Sequence, residues 1–433
     1  MEASFTTEGS KILFHFKPDS KDLVRMSEHK FNMTDITPYV DLKGILDPKL
    51  VHNDLIALSI ILMINPFVGN SLHFKFEVSD YFEKKISSVI TRYNVDSRPG
   101  IIPQLKKIEN GHPGLAFSAG ADSSAALAIM PKDVRLIFLN RPVREKTSVY
   151  DSSAALEICK NLENSGYYVQ DIETNLEYLR DPVGFPTDLA HAVPPILLSQ
   201  KLKLDSIAFG TVLESGFGIG HLKYVEYSKG SHYRFFSILF KSVNIDLCLP
   251  TIGISEVGTA IIGKNSVTGN LQQSCIRGKL YRPCYRCWKC FRKELLNYSL
   301  GYLSSPPNFE EMLRSKEIQT KLSEFPIRHE NVITFSMQNA ELYAFTELRL
   351  ISSKLDMSKD LSFLDKWYAP SIEFVPDKYR FFIRNKILKF LKPMRFEDEQ
   401  RVTKWNMEEH LESQKAKIGQ EKLEYLWDKI NYG

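Results

Sequence analysis

"GLAFSAGADSSAALAIM" spans residues 114–130 and decides how the rest of the chain is read. "GLAFSAG" (114–120) is a short apolar strand candidate, and "ADSSAALAIMP" (121–131) carries a helical pattern. Phe117 to Ser124 forms a loop that follows the strand directly and opens the helix. A helix N-terminus presents unpaired N–H groups and the positive end of the helix dipole, which suits an anion. Gly120 permits close backbone approach, and Ser118, Ser123 and Ser124 add hydroxyl donors. Asp122 would repel a bare phosphate but suits a Mg2+ bridging carboxylate and polyphosphate. The stretch is not a Walker A loop, because it lacks G-x-x-x-x-G-K-[ST]. A Ser/Asp-capped helix without any ligand fits the same residues, and both readings stay open here.

Downstream, "VRLIFLN" (134–140), "YYVQDIE" (167–173) and "LDSIAFGT" (204–211) read as strands, with "SSAALEICKNLENSG" and "PPILLSQKLK" as helices between them. Alternation at this pitch gives an α/β class: a central parallel sheet with helices on both faces. "HYRFFSILF" (232–240) and "NIDLCLP" (244–250) extend the β content, and "ISEVGTAII" (254–262) is helical. Three zones follow: an N-terminal α+β extension over 1–110, the α/β unit over 111–300 and a helical C-terminal region over 301–433. Within the last, the basic amphipathic stretch 378–392 reads as a helix packed on the core.

The chain has 433 residues, 43% hydrophobic and 25% charged, which is an ordinary globular balance with enough length for several cores. A net charge of +4 is too small to argue for nucleic acid. "LIALSIILMINPFV" (55–68) is the longest apolar run, short of the ~20 residues a membrane span needs, and reads as a buried helix. The start has neither a basic nor an apolar signal region, so the expected setting is a reducing cytoplasm without membrane contact.

In that setting "QSCIRGKLYRPCYRCWKC" (273–290) points to a metal. Cys275, Cys284, Cys287 and Cys290 have the spacing C-x8-C-x2-C-x2-C, and four thiolates suit a closed, structural Zn2+ site. An iron–sulfur cluster and a redox C-x-x-C remain alternatives. From Cys275 to Lys293 there are seven Lys/Arg, including Arg292 and Lys293, and no acid. They either offset the thiolates or face an anionic ligand. Cys159 and Cys248 read as core residues.

"SAGADS" resembles the S-G-G-x-D-S loop of the PP-loop ATP pyrophosphatases. Together with the later four-cysteine pattern, residues 114–298 look like the QueC family, the 7-cyano-7-deazaguanine synthases. The resemblance implies a PP-loop type sheet, ATP with Mg2+, and Zn2+ on the four cysteines. It implies a reaction in which the carboxylate of 7-carboxy-7-deazaguanine, a small deazapurine, is adenylylated with release of pyrophosphate and then joined to a nitrogen nucleophile. Ser118, Gly120, Asp122 and Ser123 would hold the pyrophosphate within the loop Ser118 to Ser124, with Ser118 and Asp122 as the catalytic pair. Asn140 would lie by the adenine.

The chain also departs from that family. Ala119 stands where the family has glycine, which costs nothing if its φ is negative. "AVPPILLSQ" keeps Val193-Pro194 but lacks the Arg-Asn of V-P-G-R-N, and Ser255-Glu256 replaces Ser-Lys. The chain is about twice the family's length. These changes point to a protein amine as nucleophile, from a partner of the same operon, as in QueC-like members of anti-phage systems. Ammonia as nucleophile, a non-catalytic binding module and a tRNA thiolase are the alternatives. His191 reads as a loop or capping residue, and "SGFGIGHL" (215–222) as a loop near the nucleotide.

Overall fold

A computed structural model describes the chain except residues 99, 101, 145–149, 270, 341–344 and 433. Its strands are β1 (Glu2–Glu8), β2 (Lys11–Lys17), β3 (Asn32–Met33), β4 (Tyr39–Asp41), β5 (Ser71–Phe74), β6 (Asn94–Asp96), β7 (His112–Phe117), β8 (Arg135–Asn140), β9 (Tyr168–Thr174), β10 (Arg180–Asp181), β11 (Leu204–Ala208) and β12 (Asp246–Cys248). Ten of them form one sheet in the order β12-β11-β7-β8-β9-β4-β2-β1-β5-β6, while β3 pairs with β10. The half from β12 to β9 is entirely parallel. β4 then joins β9 antiparallel, so the N-terminal strands continue the same sheet across residue 110.

Alternation along β7 and β8 shows that both faces are covered. Leu115, Phe117, Leu136 and Phe138 belong to one core and Ala116 and Ile137 to another. This is the mixed α/β, mostly parallel architecture expected from the strand–helix pitch. The chain places β8 and β9 on one side of β7, then returns to place β11 and β12 on the other. Strand order therefore reverses between β7 and β11. In open α/β sheets the crevice outside the carboxyl ends at such a point is where ligands bind.

The apolar run at 55–68 forms the helix Asn53–Ile64, whose Leu55 to Ile64 are all buried. "HYRFFSILF" is not a strand: it lies in the helix Ser231–Lys241, which buries Phe236, Leu239 and Phe240. Those residues recur at i, i+3 and i+4, a helical stripe that a run of aromatics obscures. The C-terminal region is helical but divides. Residues such as Phe309, Leu322 and Leu423 form a third core around the cysteines. Others, from Leu361 to Met407, pack back onto the sheet's cores. The helix Asp377–Ile387 buries Tyr379, Ile383 and Ile387, a packed helix as its pattern indicates. Among the described residues no helix is long and apolar enough to cross a membrane.

Candidate active site and metal centre

β7 ends at Phe117, and the helix Ala121–Ile129 follows with Gly120 as its N-cap. Ser123 turns its hydroxyl back over the loop, 3.0 Å from Ser118 Oγ and 3.1 Å from the Gly120 carbonyl it donates to. Ala119 is fully buried with φ of 58°. The condition of a negative φ is therefore not met: the chain makes the left-handed turn with an alanine. That conformation costs roughly 1–2 kcal/mol, and burying the methyl returns about 0.8 kcal/mol. Neighbours hold the turn in place. The Gln273 N–H donates to the Ala119 carbonyl at 2.8 Å, and the Ala121 N–H donates to Ser274 Oγ at 3.3 Å. From the other side, a Cβ on Gly210 would come within 2.7 Å of Ser123 N, so only glycine lets the segment after β11 lie against the first turn.

A cleft of about 900 Å³ opens where the strand order reverses. Ser118, Asp122 and Ser123 line it beside Phe209, Gly210 and Glu214. Ala119, Gly120, Ala121 and Ser124 are not among its lining residues; they shape the loop behind it, and Ser124 is fully buried. Asn140 ends β8, on the side of β7 away from β11, and is likewise not in the lining. His191 does line the cleft, its ring 4.9 Å from that of Phe209, and burial lowers its basicity to about 4. The segment 215–222 runs along the cleft wall through Ser215, Gly216, Gly218, His221 and Leu222.

Behind the loop sits a cluster of buried charges that no short motif announces. Thr259 donates to Asp122 Oδ1 at 2.9 Å, and Lys293 Nζ lies 3.9 Å from the same oxygen. Glu256, only 2% exposed, binds Lys293 at 3.2 Å, Arg292 at 3.1 Å and His329 Nδ1. Burial alone would raise its carboxyl, but Lys293, Arg292 and His329 hold it well below the usual range. For Lys293, burial is outweighed by Glu256 and Asp122, which raise it. Glu214 differs. It is fully buried and has no cation within ion-pair distance among the described residues. It accepts from Asn331 Nδ2 at 2.9 Å and from the Glu256 N–H at 3.2 Å. Burial, and then the charge of Glu256, push it up to about 8. Two of the seven cations thus turn towards the loop. Arg277 instead pairs with Glu317 at 2.7 Å.

The four cysteine sulfurs lie within 4.8 Å of one another and could hold a metal ion such as zinc. Cys287 and Cys290 sulfurs are 3.4 Å apart, and those of Cys284 and Cys290 3.8 Å. A tetrahedron with Zn–S of about 2.3 Å has edges of about 3.8 Å, so the donor set fits. Backbone N–H groups of Cys284 and Cys290 donate to Cys275 and Cys287 sulfurs at 3.4 and 3.5 Å, which suits thiolates. Cys287 also caps the helix Trp288–Ser299, whose positive end favours the anionic sulfur. Among the described residues no fifth donor of the metal-ligating kind joins the group. The helical region clamps it, with Glu317 Oε1 accepting from the Trp288 N–H at 3.0 Å.

A model described as "Family of unknown function (DUF6395)" matches residues 235–406, less than half of the chain. That span holds the cysteines, Glu256, Lys293 and His329, and excludes the loop 118–124. No curated protein and no solved structure matches the chain.

Proposed function

We propose that the chain is a QueC-like, PP-loop ATP-dependent C–N ligase that adenylylates the carboxylate of a 7-deazaguanine and transfers the acyl group to an amine, with a protein partner as the amine's source. One observation carries the reading. The Ser118–Ser123 turn, the start of its helix and a large cleft meet where the strand order reverses.

In this reading Ser118 and Ser123 hydroxyls and the positive end of the helix hold the pyrophosphate portion. Asp122 would hold the Mg2+ that neutralises polyphosphate charge. The substrate carboxylate oxygen attacks the α-phosphorus as the bond to the pyrophosphate oxygen breaks. The amine then forms the C–N bond, AMP leaves with the carboxylate oxygen, and the amine's proton goes to solvent or a cleft base. Residues here contribute positioning and charge neutralisation, which is most of what phosphoryl chemistry requires. The zinc knot acts through structure, by holding Gln273 and Ser274 on the loop.

A module that binds without turnover is favoured by one feature: Asp122 Oδ1 already accepts from Thr259 and faces Lys293. Pyrophosphate release from ATP with 7-carboxy-7-deazaguanine separates the two, and ammonium against protein amine in the same assay identifies the nucleophile.

A further inference from the structure

The cleft contains a built recognition site that the loop chemistry does not use. Its walls carry aromatic rings, with Phe209, His191 and Tyr227 all lining it. Phe209 directly follows β11 and is 1% exposed, with His191 edge-on at 4.9 Å. A flat ring fits such walls better than an aliphatic chain does. Beside them lies Glu214, fully buried and lining the same cleft.

The two buried acids have opposite surroundings. Glu256 takes Lys293, Arg292 and His329 and is committed to the fold. Among the described residues Glu214 receives the neutral donors Asn331 Nδ2 and the Glu256 N–H and no cation. A carboxylate has about four lone-pair sites, so two donors leave acceptor capacity. Buried without a counter-cation, Glu214 holds its proton more tightly than an ordinary carboxyl, and N–H groups brought by a ligand stabilise its ionised, accepting form. Both partner groups come from distant parts of the chain. The helix Glu330–Asn339 sends Asn331 in under Gly220, whose hydrogen side is filled by Asn331 Oδ1. Arg328, two residues before, lines the cleft as well. The helical region is thus part of the pocket wall.

We propose that Glu214 is the specificity-determining residue for a planar heterocycle bearing two adjacent N–H donors, the ring N–H and exocyclic amine of a guanine-type edge, held against the cleft wall that His191, Phe209 and Tyr227 line. This deepens the ligase reading by assigning the edge of the deazaguanine that is recognised, and it rests on that reading for the ligand's identity. Asn331 is a positioning residue that orients the Glu214 carboxylate.

The test needs no ATP and no turnover, so it fails independently of the ligase reading. Binding of guanine and of hypoxanthine, which lacks the exocyclic amine, is measured calorimetrically on the full-length, zinc-loaded protein. Guanine should bind at least about 100-fold more tightly, as expected when a buried acceptor loses its donor. Glu214→Gln should lose that preference while keeping its fold by circular dichroism. Asn331→Ala should narrow it, and Asn331→Asp should not restore it, since a carboxylate cannot donate. Equal affinity for the two bases, no binding of guanine by the wild type, or an unchanged preference in a folded Glu214→Gln protein would each overturn the assignment. Guanine discrimination without pyrophosphate release would leave it standing and remove the ligase reading.

Discussion

The Gln273 N–H donates to the carbonyl of Ala119 at 2.8 Å, so the residue two places before Cys275 holds the turn that begins the candidate nucleotide site. Loop and cysteine cluster lie more than 150 residues apart in sequence and form one unit in space. The cluster's work on this account is to fix a backbone, which a closed four-thiolate site does well.

Ala119 should be nearly neutral to glycine and intolerant of branching. Ala119→Gly relieves roughly 1–2 kcal/mol of left-handed strain but gives up about 0.8 kcal/mol of methyl burial and adds unfolded-state freedom of about 0.4–1 kcal/mol. Denaturant unfolding should therefore place it within about 1 kcal/mol of wild type. Ala119→Val adds a β-branch and volume at a fully buried position and should cost more than about 2 kcal/mol. A stable valine variant would contradict the observed φ.

Metal removal should be felt at the loop. Elemental analysis should find one zinc per chain, falling in Cys284→Ser. In the chelated protein, hydrogen exchange at residues 118–124 should speed up together with that at 273–290. Exchange confined to the cysteine segment would show that the Gln273 and Ser274 contacts do not depend on the metal.

Glu256 stands where the family that the loop resembles has lysine, and that lysine should not be tolerated here. Glu256→Lys puts a third cation beside Lys293 and Arg292, next to His329, and Glu256→Gln leaves the two without their acid. Unpaired buried charge costs about 3–5 kcal/mol, so both variants should be strongly destabilised in urea, the lysine more so. A lysine variant as stable as wild type would mean that the cluster is not ionised as described.

Glu214 should give a pH-dependent stability of defined sign. Its ordinary value is 4.5 and its folded value about 8, because burial, Glu256 and Asp122 disfavour its charge while Asn331 opposes them. The folded state holds this proton more tightly, so the associated stability is complete below about pH 4.5 and lost as pH rises through about 8. Glu214→Gln should therefore lose less stability than wild type between pH 6 and 8.5, read as the difference in melting temperature. Parallel slopes would contradict the assignment.

Much of the site's frame is legible in the sequence, and its chemistry only in part. The strand–helix pitch from Gly114 to Thr211 gives the parallel half of the sheet, because period-2 and period-3.6 patterns are local. The cysteine spacing gives a metal site for the same reason. Glu214, Glu256, Lys293 and the pair His329 and Asn331 come from four separate elements, and no spacing rule brings the four together. A trace existed in two places: Ser255-Glu256 as a reversed charge, and an acid-free basic run ending at Lys293. Neither says that the two residues meet. The aromatic run Tyr233 to Phe240 misleads because β-propensity largely reflects packing context, and its buried stripe shows only against β12 and its neighbours.

Pyrophosphate formed from ATP and Mg2+ in the presence of 7-carboxy-7-deazaguanine and an amine is the most direct measure of the central claim. The account predicts stoichiometric AMP and pyrophosphate with the wild type, and loss of at least about 100-fold in Asp122→Ala, as when a group acting only on transition-state charge is removed. No pyrophosphate with any amine offered, from ammonium to the candidate partner proteins, or release undiminished in Asp122→Ala, would contradict it.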